Sequence, residues 1–385
     1  MTMHLTRKAF LQRCGAGFGG LALQALLSRD SLLADDNRAV NPLAPRPPHF
    51  APRAKSVIFL FMYGGPSHVD LFDPKPALAK WDGRAIPVWK SEDAFMGSKT
   101  KNVAMASPYK FARHGQAGVE MAEVFPHLAR HADSLCVIRS MFAESNNHGP
   151  ALFQMNSGAI LAGRPSMGSW VTYGLGSESD ELPAFVVLLD HQGAPVNGGL
   201  NWSNGFMPAA YQGVPFRGSG EPIAYLTPPK HITANRQRQR LDLLKSWNEE
   251  FAAASPQESS LQARINAYEL AFRMQMSATE CIDLSRETQA VHTAYGLDTP
   301  VTAHFGRNCL LARRLVERGV RFVQLYSGGN EGPKAWDAHD NLKTNHDLHC
   351  LETDRPIAAL LDDLKSRGLL DSTLVVGAVN LDARR

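Results

Sequence analysis

Val57-Ile58-Phe59-Leu60-Phe61-Met62 is an unbroken apolar run stopped by Gly64-Gly65-Pro66. A run without polar alternation predicts a strand buried on both faces, the situation of a strand inside a parallel sheet. Largely apolar runs at residues 135–138, 185–189 and 321–326 predict further strands. Helical segments separate several of them; Leu310, Leu311, Leu315 and Val316 line one helix face just before the run at 321. Alternating helix and strand predicts an α/β domain, a mostly parallel sheet covered by helices on both sides. From residue 233 to 291 the pattern changes to long amphipathic helices, with Leu261, Ile265, Tyr268, Phe272 and Met276 at helical spacing. That stripe reads as packing surface, so a helical insertion over about residues 230–300 is expected. The Gly/Asn/Pro-rich stretch 193–220 has little period, and its length marks a functional loop.

The 385 residues are 44% hydrophobic and 20% charged, enough to bury a large core. With 40 basic and 37 acidic residues the net charge is +3, and the basic residues are spread out, which argues against a nucleic-acid or membrane-surface partner. The five cysteines, Cys14, Cys136, Cys281, Cys309 and Cys350, form no CxxC pair or metal-ligand spacing.

At the N-terminus, Thr6-Arg7-Lys8-Ala9-Phe10-Leu11 precedes a weakly apolar run from residue 14 to 27 and a small-residue region at 31–34. This predicts a twin-arginine-type signal peptide over residues 1–34, with Lys8 in place of the second arginine, and hence export to the periplasm or beyond through the export machinery. The run is too short and too rich in Gly and Ala for a transmembrane helix of roughly 20 apolar residues. A buried amphipathic helix is the alternative. Residues 35–55, with Pro42, Pro45, Pro47, Pro48 and Pro52, predict an extended linker, and the folded domain is expected over residues 56–376.

Three segments concentrate chemistry. Ser67, His68 and Asp70 follow the first apolar run directly, and in open α/β sheets ligands bind beyond the carboxyl ends of strands. A tight turn capped by Asp70 or Asp73 accounts for this segment equally well. Ser145-Asn146-Asn147-His148-Gly149-Pro150 precedes a short helix expected at 152–158, whose free N–H groups suit an oxyanion. His148 fits a capping or core role as readily as a functional one. Asp337 and His339, two apart on a loop after a strand, can reach one cation, since carboxylate oxygen and imidazole nitrogen suit zinc and other divalent metals; a solvated polar loop is the alternative. His346 and His349 follow shortly after.

Together, Gly-Gly-Pro-Ser-His-Val-Asp (64–70), Asn-His-Gly-Pro-Ala (147–151), Gly-Arg-Pro-Ser-Met-Gly-Ser-Trp (163–170) and Trp-Asp-Ala-His (336–339) resemble the DUF1501 family of sulfatase-like, alkaline-phosphatase-superfamily proteins. The resemblance implies an alkaline-phosphatase-like αβα sandwich and a metal-dependent hydrolase acting on phosphate or sulfate esters. Carried over by position, Asp70, Asp337 and His339, with His68 nearby, fall on ligands of a divalent metal such as zinc, calcium or magnesium. The nucleophile position falls near Asn147 and His148. No cysteine stands in the Cys-x-Pro-x-Arg context of formylglycine sulfatases, so metal-activated water or a serine such as Ser67 would attack. A non-catalytic surface or carbohydrate-binding protein that keeps the fold is the alternative.

In the family, the strand matching residues 373–376 continues as Trp-Gly-Gly-Glu-Phe-Gly-Arg-Thr-Pro, whereas here Gly377-Ala378-Val379-Asn380-Leu381-Asp382-Ala383-Arg384-Arg385 follows. Deleting one base from a suitable codon string for the family stretch yields Gly-Ala-Val-Asn-Leu-Asp-Ala-Arg. Residues 377–385 are therefore expected to be an aberrant tail left by a frameshift, in a domain incomplete at its C-terminus and impaired as an enzyme.

Overall fold

The computed structural model describes residues 41–85, 103–145, 147–223, 226, 231–254, 259–329, 335–338 and 341–379. The segment read as a signal peptide lies outside the described residues, as do His339, Asn146 and residues 380–385.

In chain order the elements are β1 (Ser56–Met62), α1 (His68–Leu71), β2 (Phe111–His114), β3 (Val119–Ala122), α2 (His148–Ser157), α3 (Met167–Leu175), β4 (Phe185–Leu188) and β5 (Val214–Phe216). They continue as α4 (Ala234–Ala254), α5 (Ser259–Ile282), α6 (Gln289–Ala294), α7 (Pro300–Glu317), β6 (Phe322–Ser327), α8 (Leu342–Ser366) and β7 (Thr373–Val379). Five strands form one sheet in the order β5-β4-β6-β1-β7, and every neighbouring pair is parallel. β1 sits between β6 and β7, with Val57 beside Phe322 and Ser56 beside Thr373. A strand with neighbours on both edges and helices on both faces is almost wholly buried, which is why its sequence lacks alternation.

Side chains leave β1 to opposite faces. Ile58, Leu60 and Met62 join Val186, Leu188, Val323 and Leu325 against Leu310, Leu311 and Leu315 of α7 and Leu360, Leu361 and Leu364 of α8. Phe59, Phe61 and Tyr63 join Phe185, Phe322, Tyr326 and Trp202 beneath Leu152 of α2. Each fully buried aliphatic or aromatic side chain of this kind contributes roughly 1.5–3 kcal/mol. β2 and β3 form a separate antiparallel hairpin.

Two sequence expectations meet a different local structure. Residues 135–138 form no strand; they follow a 3₁₀ turn at Leu128–Ser134, and Ile138 is 64% exposed. The helix expected at 152–158 begins earlier, at His148, because the Asn147 side chain accepts the Gly149 N–H and caps it. Within the Pro-rich stretch, the Leu43 carbonyl accepts the Ser177 N–H at 2.8 Å and the Arg46 N–H donates to Leu175 at 3.0 Å, so residues 43–46 lie against the end of α3.

Candidate functional site

The carboxyl ends of β1, β4 and β6 bring the chemistry-bearing loops together. Gly64, directly beyond β1, has φ +103, a conformation glycine adopts at little cost. A Cβ there would stand 2.5 Å from the Asp337 nitrogen and 2.7 Å from the Trp336 nitrogen. Glycine thus lets the loop after β6 lie directly on the loop after β1, where the Trp336 N–H donates to the Tyr63 carbonyl at 2.8 Å.

Asp337 then meets the first residue of α2: His148 Nε2 lies 3.1 Å from Asp337 Oδ2, with both side chains partly exposed. The Tyr63 ring packs edge-on to the His148 ring, and Asn197, in the left-handed region at φ 70, donates to the Gly149 carbonyl at 2.9 Å. Asn147 therefore acts through its helix cap, and His148 is the imidazole presented at the helix entrance.

Ser67 and Asp70 make a second cluster in the loop beyond β1. Ser67 Oγ donates to Asp70 Oδ2 at 2.5 Å, and Asp70 is buried. The Ser67 backbone N–H donates to His346 Nε2 at 2.8 Å, which places the ring proton on Nδ1. Burial pushes the His346 imidazole down to about 4, so the ring is neutral at pH 7. Its bond to the Ser67 backbone makes His346 a clamp on the loop. His349, one turn on, reaches the Ala335 carbonyl at 3.0 Å and Glu352 at 2.7 Å, and both imidazoles pack on Trp336. His68 opens α1; burial lowers its pKa, partly offset by Asp73 and Asp70.

Of the residues expected at the site, the structure pairs His148 with Asp337 and Ser67 with Asp70, and contacts through Tyr63, Trp336 and His346 link the two pairs. His339 lies outside the described residues. Asp337 and His148 supply the oxygen and nitrogen donors that zinc-like ions take. Among the described residues no group of three or more His, Cys, Asp or Glu side chains is disposed to hold a metal.

A third cluster lies outside the three chemical segments of the sequence. Beyond β4, Asp190 accepts the Gly328 N–H at 3.0 Å and the Gln192 N–H at 2.8 Å, tying the end of β4 to the end of β6. His191 Nδ1 lies 3.2 Å from Asp190 Oδ1, and its ring stacks on His304 of α7 at 3.9 Å and 8°. The hydrogen bond to Asp190 raises the His191 pKa; burial and the neighbouring His191 lower that of His304. The signal was available, since Asp190 and His191 follow an apolar run as Asp70 follows β1.

No curated protein and no solved structure matches the chain. Residues 54–379 match the family described as protein of unknown function DUF1501, a span that takes in β1, every loop described above and β7, and the chain belongs to that family.

Proposed function

We propose that the protein is a metal-dependent hydrolase of the sulfatase and alkaline-phosphatase type, acting on phosphate or sulfate esters at the carboxyl edge of its sheet. The observation that carries this reading is the 3.1 Å pairing of His148 with Asp337 at the entrance of α2. An imidazole held by a carboxylate can move a proton to or from an ester oxygen. The α2 N-terminus attracts the oxyanion through its backbone N–H groups and dipole. Ser67 presents a hydroxyl whose proton is already shared with Asp70, the arrangement of a serine prepared to attack or to orient water. Asp70, Asp337 and His339, with His68 nearby, would hold one or two divalent ions such as zinc, calcium or magnesium, which when bound would polarise the ester and acidify water. We also assign the chain to the exported proteins, on the strength of residues 6–34; an N-terminus intact in protein recovered from cells would contradict that assignment.

The test is metal content by elemental analysis, run together with a screen of aryl phosphate and aryl sulfate esters. Bound divalent metal with turnover of either class supports the reading; metal-free protein that stays inert after divalent ions are supplied overturns it.

A second reading, a non-catalytic surface or carbohydrate-binding protein, is favoured by the exposed rings of Trp170, Tyr173 and Phe206. Trp170 touches the other two edge-to-face at 6.2 and 6.0 Å. Saturable glycan binding without ester turnover distinguishes it.

A further inference from the structure

The α4–α5 helical pair carries a surface that the proposed reaction does not use. Arg238 fixes α4 to α5 from one side: its guanidinium grips Glu269 with two bonds of 2.7 and 2.9 Å and lies 5.2 Å over the Phe272 ring. The outward side of α4 is apolar along its centre. Leu243 is 49% exposed, Leu244 37%, Trp247 58% and Phe251 69%. Spacings of three, four and seven residues set these side chains along one stripe of the helix. Four large apolar groups in a row, one of them tryptophan, are the composition of an interface core.

Charge identifies the occupant. Arg236 and Arg240 continue the stripe toward the N-terminus of α4, whereas Glu250 flanks its C-terminal end. A helix that is basic at one end of an apolar stripe and acidic at the other complements itself when turned end for end. Across α4 as a whole, the acids Asp242, Glu249 and Glu250 nearly balance the bases, which disfavours an anionic membrane surface, where a largely cationic polar face is needed. We propose that the chain forms a two-fold dimer in which α4 of one copy packs antiparallel on α4 of another. Centred between Lys245 and Ser246, this pairing sets Leu244 of one copy against Trp247 of the other, and Arg240 beside Phe251 and Glu250. The contact is isologous, so each such pair occurs twice and the assembly closes at two copies.

The test is the mass of the full chain in solution, by sedimentation equilibrium across a concentration series. A dimer is expected whose dissociation constant rises on the order of tenfold or more in Trp247→Glu, because a charge then enters the centre of the contact. Arg240→Glu and Glu250→Arg should each weaken it, and the double reversal should recover most of the loss. Circular dichroism and the unfolding midpoint check that the variants remain folded, since these side chains are exposed. A monomer throughout the series, a dimer indifferent to Trp247→Glu, failure of the double reversal to recover the dimer, or a stripe occupied instead by anionic vesicles or by another part of the chain would each overturn the proposal.

Discussion

His148 Nε2 stands 3.1 Å from Asp337 Oδ2, although one residue opens α2 and the other lies beyond β6. The contact exists because β1 and β6 are adjacent parallel strands and Gly64 admits the Trp336–Asp337 backbone onto the loop after β1.

Asp337→Asn keeps the side-chain shape and removes the charge that orients His148 and that would help to hold the divalent ion. The expected outcome is a loss of kcat on the order of 10²–10⁴ with KM little changed, in keeping with the removal of positioned acid–base catalysis. Steady-state kinetics across pH checks it, and an unfolding midpoint close to wild type shows that the fold is intact.

Gly64→Ala forces a Cβ to within 2.5 Å of the Asp337 nitrogen at φ +103. The loop after β6 must then lift from the loop after β1, and a destabilisation of about 2 kcal/mol or more is expected. Denaturant unfolding measures the loss. Activity should fall further than stability, because His148 loses its partner.

His346 predicts acid sensitivity. Its folded-state pKa, pushed down to about 4 by burial, lies below the ordinary histidine value of about 6.5. The unfolded chain therefore binds the proton first. The stability associated with the neutral ring is complete above about pH 6.5 and is lost as pH falls from there toward 4, by about 3 kcal/mol in all. His346→Gln offers an uncharged acceptor to the Ser67 N–H, and urea unfolding at pH 7.5 and 5 should show a smaller pH dependence than in wild type.

Asp190→Ala removes the acceptor shared by Gly328, Gln192 and His191. A loss of about 1–3 kcal/mol is expected from the two unsatisfied N–H groups. The hydrogen bond to Asp190 is the largest cause of the raised His191 pKa, so the His191 titration followed by NMR should move down.

β1 was legible because a strand buried on both faces has a continuous apolar sequence, and its loop was legible because Ser67, His68 and Asp70 stand directly at its end. Residues 135–138 misled for the same reason in reverse: a four-residue apolar run does not distinguish a core strand from an exposed connection, and Ile138 faces solvent. The three chemical segments could be named from the sequence, but their pairing could not. Whether His148 meets Asp337 or caps its own helix depends on strand order and on Gly64, and both are tertiary facts. His346 was visible as a histidine near the third segment; its role as acceptor for the Ser67 N–H required the docking of α8 on the loop after β1. Asp190 and His191 were not legible as a site because their partners, the Gly328 N–H and the His304 ring, come from the end of β6 and from α7, far along the chain.

Turnover of an aryl phosphate and an aryl sulfate by wild-type protein and His148→Ala, side by side with divalent ions supplied, shows whether the His148–Asp337 pair carries ester hydrolysis. Hydrolysis of at least one ester by the wild type is expected, with a rate lower by on the order of 10² or more in the variant and an unchanged unfolding midpoint. Wild-type turnover equal to that of His148→Ala, for both esters and every ion, would contradict that role of the pair.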